Sequence, residues 1–211
     1  MRRILFCNIA WMDKYQGIND NDKPINGGSY INDTNDAHES YNFEPMYFTD
    51  EDEKTQYCLG FFETKSTNGI SKNQLHIEKI DDVINKDTEA IDNVLVIWCA
   101  KSPVNNFTSV VGWYKNATVY RYYHSVEFDN GYVQDYNILA KAEDCVLLPT
   151  DIRIIGTTWW VPRVAKKNGP AYGFGQANVW FANEKDNSGK EEYLSKIIGL
   201  IDNYDGENYM L

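Results

Sequence analysis

Asp92-Asn93-Val94-Leu95-Val96-Ile97-Trp98-Cys99-Ala100-Lys101-Ser102-Pro103-Val104-Asn105-Asn106-Phe107-Thr108-Ser109-Val110-Val111-Gly112-Trp113-Tyr114 is the stretch whose reading decides the fold. Val94–Ala100 is an unbroken apolar run rich in β-branched and aromatic residues, the composition of a strand buried on both faces. Lys101–Thr108 is polar and holds Pro103, so it reads as a loop. Ser109–Tyr114 is apolar again, and we expect it to return as a second strand.

Working outward, Arg3–Ile9 is a second continuous apolar run and predicts an opening strand. Tyr57–Thr64, Thr118–Tyr123, Tyr136–Ala140 and Cys145–Leu148 carry shorter strand signals. Ile77, Ile80 and Ile84 fall at helical spacing within His76–Ile84. Near the end, Ser188-Gly189-Lys190-Glu191 fits a capping box. After it, Leu194, Ile197, Ile198, Ile201 and Tyr204 form one apolar stripe, so Lys190–Tyr204 is expected to be a helix lying on the body of the protein. Gln16–Ser40 is dominated by Asn, Asp and Gly around Asn26-Gly27-Gly28-Ser29, which predicts a long loop, and long loops commonly bind. Together these elements predict an α+β fold in one domain spanning 1–211. The expected architecture is a small, curved, partly closed β-barrel with flanking helices and a C-terminal helix.

A chain of 211 residues can build a full core without a metal or disulfide. Cys7, Cys58, Cys99 and Cys145 lie far apart among apolar neighbours, the setting of buried structural thiols. No run approaches the roughly 18 apolar residues of a membrane span. The opening residues turn polar at Asn8, too early for a signal-peptide core, so we expect a cytoplasmic protein that does not meet a membrane. A net charge of −11 excludes a generally basic nucleic-acid binder. The charge is uneven, however. Residues 20–53 hold ten acids against Lys23, whereas residues 151–170 hold Arg153, Arg163, Lys166 and Lys167 against Asp151 alone.

The sequence offers no recognisable catalytic centre. It lacks a nucleophile elbow, a P-loop and a full dinucleotide fingerprint, and its three histidines show no ligand spacing. We therefore expect no catalytic residue, no metal and no cofactor. The aromatic content of 14% directs attention to binding instead, because ring faces stack on planar groups. Trp98 and Trp113 lie within strands and can serve either the core or a pocket wall. Trp11 ends the first strand and enters a polar loop, and Tyr30 follows a Gly-Gly-Ser turn.

The order of these features resembles the PUA superfamily, and more closely its EVE and YTH branches. The resemblance rests on the strand of Ile4–Trp11, the Gly/Ser loop of Asn26–Asn32 and the strand–loop–strand of Asp92–Tyr114 with Val110-Val111-Gly112. It covers roughly residues 3–123. It implies a module that holds a modified nucleobase in an aromatic cage, with Trp11, Ser29, Tyr30 and the stretch from Trp98 to Ser102 at the cage positions. It also implies modified DNA as partner, with RNA as a possibility, and a nuclease domain or subunit acting alongside. From the chemistry of the residues, Gly28 and its neighbours offer backbone amides to a ring edge, and Asn8, Ser29 and Gln176 offer side-chain hydrogen bonds. Trp113 stands near the expected pocket, and phosphates fall to Arg121, Arg163, Lys166 and Lys167. Two other classes remain open: a small-molecule- or nucleotide-binding enzyme on a similar barrel, and an acidic adaptor for a basic protein partner.

Overall fold

A computed structural model of the chain describes residues 2–26, 38–47, 55–64, 74–128, 130–164 and 169–210. The fold is a mixed α+β arrangement dominated by one large sheet. Its strands are β1 (Arg3–Ile9), β2 (Met46–Tyr47), β3 (Gln56–Gly60), β4 (Ala90–Lys101), β5 (Thr108–Glu127), β6 (Val133–Lys141), β7 (Cys145–Leu147), β8 (Trp160–Val161) and β9 (Val179–Trp180). The helices are α1 (Thr150–Ile154) and α2 (Ser188–Asp202).

The sheet runs β2-β3-β6-β5-β4-β1-β9 from edge to edge, with β7 and β8 also on β5. The two outer strands do not pair, so the sheet is not closed. Among the described residues the ladder establishes an open sheet in an α+β fold, and does not by itself establish the partly closed barrel expected from sequence. The sheet is held by one spine. Along its free side, the 20-residue β5 pairs in turn with β8 at Thr108–Ser109, β7 at Gly112–Tyr114 and β6 at Thr118–Glu127, while β4 lines its other side.

Sequence reading divides β5 at Lys115-Asn116, whereas the strand runs through. Asn116 takes φ 53 and Asn93 of β4 takes φ 59, where the β4–β5 register shifts. Asparagine tolerates the left-handed region better than most side chains, so each strand bulges there without ending. Gly112 is required by a close approach: a Cβ there would run into the Val146 carbonyl and the Phe43 ring.

β1 and β4 are parallel, with Ile4 opposite Leu95 and Ile9 opposite Ala100. Alternation sends Leu5, Cys7, Ile9, Val94, Val96 and Trp98 to one face, where Tyr15, Phe43, Leu75, Ile77 and Met210 cover them. Ile4, Phe6, Leu95, Ile97 and Cys99 go to the other, beneath α2 with Trp113, Trp159, Phe174 and Trp180. Burial on both faces is the physical reason these strands read as continuous apolar runs. All four cysteines are buried and unpaired.

Two helical expectations change. His76–Ile84 supplies only a 3₁₀ turn at Ile77–Lys79, because polar side chains capture the backbone beyond it. Asp81 accepts from the Val83 N–H and Asn85 from the Asp87 N–H. The C-terminal helix forms, but its cap is Asn187 and not Ser188. The Asn187 Oδ1 accepts from the Lys190 N–H at 3.0 Å. Tyr193, Leu194, Ile197 and Ile201 are its buried stripe. Asn187→Ala is expected to lower stability by about 1 kcal/mol, and Ser188→Ala by much less, in urea unfolding.

Among the described residues, no helix is long and apolar enough to cross a membrane.

Candidate functional site

Because β1 and β4 run parallel, their carboxyl ends emerge at the same end of the sheet, the place where open sheets with parallel strands commonly bind ligands. Asn8, Lys101, Thr108 and Arg163 meet there. The Asn8 Oδ1 accepts from Arg163 Nη2 at 3.0 Å, and Thr108 Oγ1 accepts from Arg163 Nε at 2.8 Å. The guanidinium also lies 5.4 Å over the Phe174 ring. Lys101 and Thr108 are directly opposed across β4 and β5, so the lysine stem starts on the face that carries Thr108. Asn26 donates to the Lys101 carbonyl at 3.2 Å.

The electrostatics of this cluster differ from the rest of the molecule. Arg2, Arg3 and Arg121 pair with Asp202, Asp81 and Glu78 at 2.7, 2.8 and 2.7 Å. Arg153 is buried and donates to three backbone carbonyls. Arg163 alone among the arginines is exposed while held by neutral oxygens, with no ion pair among the described residues. Its direction is fixed and, among the described residues, its charge is not cancelled. A guanidinium so prepared suits a phosphate or carboxylate, since less side-chain freedom is lost on binding.

The other residues singled out from sequence are placed as follows. Asn8 belongs to the cluster and is half-buried. Ser102 is buried next to it, but its hydroxyl accepts from the Val104 and Asn105 N–H groups and caps the turn instead of facing a ligand. Gln176 is exposed, two residues beyond Phe174. Trp98 and Trp113 are both core side chains and line no surface pocket. Trp98 packs against Tyr114, and Trp113 stacks on Trp159. Trp11 is core as well, 4% exposed, bridged to Ile25 and covered by the Arg153 guanidinium at 5.4 Å. Arg121 is 3% exposed and held by Glu78 and the carbonyls of Thr88 and Asn85, a setting unlike that of an exposed phosphate ligand. Gly28, Ser29, Tyr30, Lys166 and Lys167 lie outside the described residues. Thr108 was missed by sequence reading, and Lys101, inside the stretch from Trp98 to Ser102, was not singled out as a cation. Their signal was the strand–loop–strand pattern itself, which sets its two loop-flanking residues opposite each other.

One carboxylate titrates in an unusual range nearby. Glu39 accepts from the N–H of Ala10, the residue after β1, at 2.8 Å. Burial pushes its pKa up to about 7, with Glu63 adding to the rise and the Ala10 N–H opposing it. A carboxyl raised from 4.5 to about 7 on folding binds its proton more tightly in the native state. Its contribution to stability is therefore full below pH 4.5 and is lost as pH rises towards 7. Glu39→Gln keeps the acceptor and removes the titration. The stability of the variant relative to wild type is expected to rise by about 1–3 kcal/mol between those limits, read from urea unfolding at a series of pH values.

Among the described residues, no group of three or more His, Cys, Asp or Glu could hold a metal ion. No family model, no curated protein and no solved structure matches the chain.

Proposed function

We propose that this chain is a nucleic-acid recognition module that reads a modified base in DNA or RNA, with Arg163 as its phosphate anchor. The observation that carries the reading is an exposed guanidinium oriented by Asn8 and Thr108 with no carboxylate partner among the described residues. Lys101, an exposed cation on the neighbouring strand, adds to the same field. Hydrogen bonds to the base edge fall to Asn8 and Gln176 and to Gly28–Tyr30, which follow Asn26 in the chain. A curved, PUA-like barrel belongs to the same proposal, supported by the bulges that bend β4 and β5. Trp11, Trp98 and Trp113 take no part in it, since they fill the core.

Anisotropy titrations test this with single-stranded and duplex oligonucleotides, unmodified or carrying 5-methylcytosine or N6-methyladenine, at two salt concentrations. The expected result is binding that weakens as salt rises and that favours one modified strand. Absence of binding overturns the module, and equal binding of all strands overturns the modified base.

A further inference from the structure

A concavity of about 300 Å³ is formed by Trp160, Tyr172 and one face of α2. Gly189, Tyr193 and Lys196 recur at helical spacing on that face, with Glu192 beside them at the rim. Tyr193 is buried, and among the described residues its hydroxyl has no hydrogen-bond partner, so what it offers the concavity is its ring. Gly189 makes the space. A Cβ there would sit 3.1 Å from Tyr172 Cε1 and press the ring out of place.

The angles between the rings decide what fits. Trp160 is inclined 85° to Tyr193, and Tyr172 is inclined 43° to Tyr193. Trp160 and Tyr172 must then differ by at least 42° (85° minus 43°). No two of the three rings are close to parallel, so they do not form a slot that sandwiches a flat heterocycle. Three rings at steep mutual angles around one concavity make a box-like lining, which suits a compact cation attracted to several π-faces at once.

Among the described residues, nothing in the chain fills this box. Lys14 lies 3.4 Å over Tyr209 and Lys79 lies 5.5 Å over Phe181, but among the described residues no cation covers Trp160, Tyr172 or Tyr193. The rim carries one carboxylate, Glu192, and one ammonium, Lys196, one helical turn apart. Both are exposed, and neither has an ion-pair partner among the described residues. A simple cation would meet Glu192 favourably and Lys196 unfavourably. A small zwitterion satisfies both.

We infer that this concavity binds a small quaternary-ammonium zwitterion of the betaine class, its trimethylammonium head among Trp160, Tyr172 and Tyr193 and its carboxylate towards Lys196. The site is separate from the nucleic-acid reading and stands or falls without it.

Calorimetric and tryptophan-fluorescence titrations test it with glycine betaine, choline and 3,3-dimethylbutan-1-ol, the uncharged carbon isostere of choline. Saturable binding is expected in the order betaine, choline, isostere, with the isostere about tenfold or more weaker than choline. Trp160→Leu should weaken both ammonium ligands by about tenfold. Lys196→Met should bring betaine down to the level of choline and leave choline no weaker. Gly189→Ala favours the helix but crowds Tyr172, so it should weaken binding without loss of stability. Absence of saturable betaine binding overturns the site. Equal binding of choline and its isostere overturns the cation, and indifference of betaine to Lys196→Met overturns the zwitterion. If Trp160→Leu proves unfolded by circular dichroism, the ligand series and the exposed Lys196→Met variant still decide.

Discussion

Arg153→Met is expected to destabilise the protein by about 3–5 kcal/mol, the largest effect of any single substitution proposed for this chain. Arg153 is 1% exposed. Its Nε donates to the Leu148 carbonyl at 2.7 Å, Nη1 to Met12 at 2.6 Å and Nη2 to Asp13 at 2.8 Å. It also lies over the rings of Trp11 and Tyr15. Burial draws its pKa below the ordinary guanidinium value, while Tyr15, Asp13, Asp22 and Tyr209 act the other way. Methionine fills much of the volume but takes the donor from three carbonyls, two of which, on Met12 and Leu148, are buried. Arg153→Lys should recover little, because one ammonium cannot serve carbonyls spread around a planar fork. Urea unfolding followed by circular dichroism would show the midpoint fall at an unchanged slope. A loss below 1 kcal/mol would mean that these carbonyls find other donors.

Arg163→Gln should act oppositely, leaving stability nearly untouched and weakening nucleic acid. Its guanidinium is exposed, so little packing is lost. If it meets a phosphate, its removal should weaken all oligonucleotides alike by about 1–3 kcal/mol, and the salt dependence should flatten by about one unit of slope. Arg121→Gln is the matched control. Glu78 already cancels that charge, and against the opposing effect of burial, hydrogen bonds from its own backbone N–H, Arg121 and His76 hold the Glu78 carboxyl low, at about 2. Arg121→Gln should therefore reduce stability and leave the salt slope alone. If Arg163→Gln binds with unchanged slope, the phosphate anchor lies elsewhere.

The contrast between these arginines shows what was legible in the sequence. β1, β4, the first half of β5 and α2 could be read because each buries a regular apolar pattern. Arg121 and Arg163 could not be told apart, since each sits among apolar and aromatic neighbours. What separates them is Glu78, 43 positions away from Arg121 in the chain and 2.7 Å away in space. The tryptophans failed for a related reason. In a strand buried on both faces, alternation marks no outward side, so Trp98 carried no sign of which role it plays. Trp11 looked like a ring entering solvent because its covers, Ile25 and Arg153, arrive from 14 and 142 residues away. Local patterns report what a segment needs to bury, while a site is defined by what distant segments leave uncancelled.

The pairing of β1 has a consequence for how the chain is made. Its seven residues are synthesised before either partner: one neighbour is β4, about ninety residues later, and the other is β9, at Val179–Trp180. At 5–20 residues per second, the ribosome needs roughly 10–35 s between Phe6 and its partner Trp180. Until β4 is made, this apolar segment has both backbone edges unsatisfied, and from then until β9 is made one edge stays open. Aggregation during expression should therefore depend on this segment more than on any other, and slower translation before β9 should make it worse. Chaperones that mask short apolar strands on nascent chains would be expected to engage Ile4–Cys7 first.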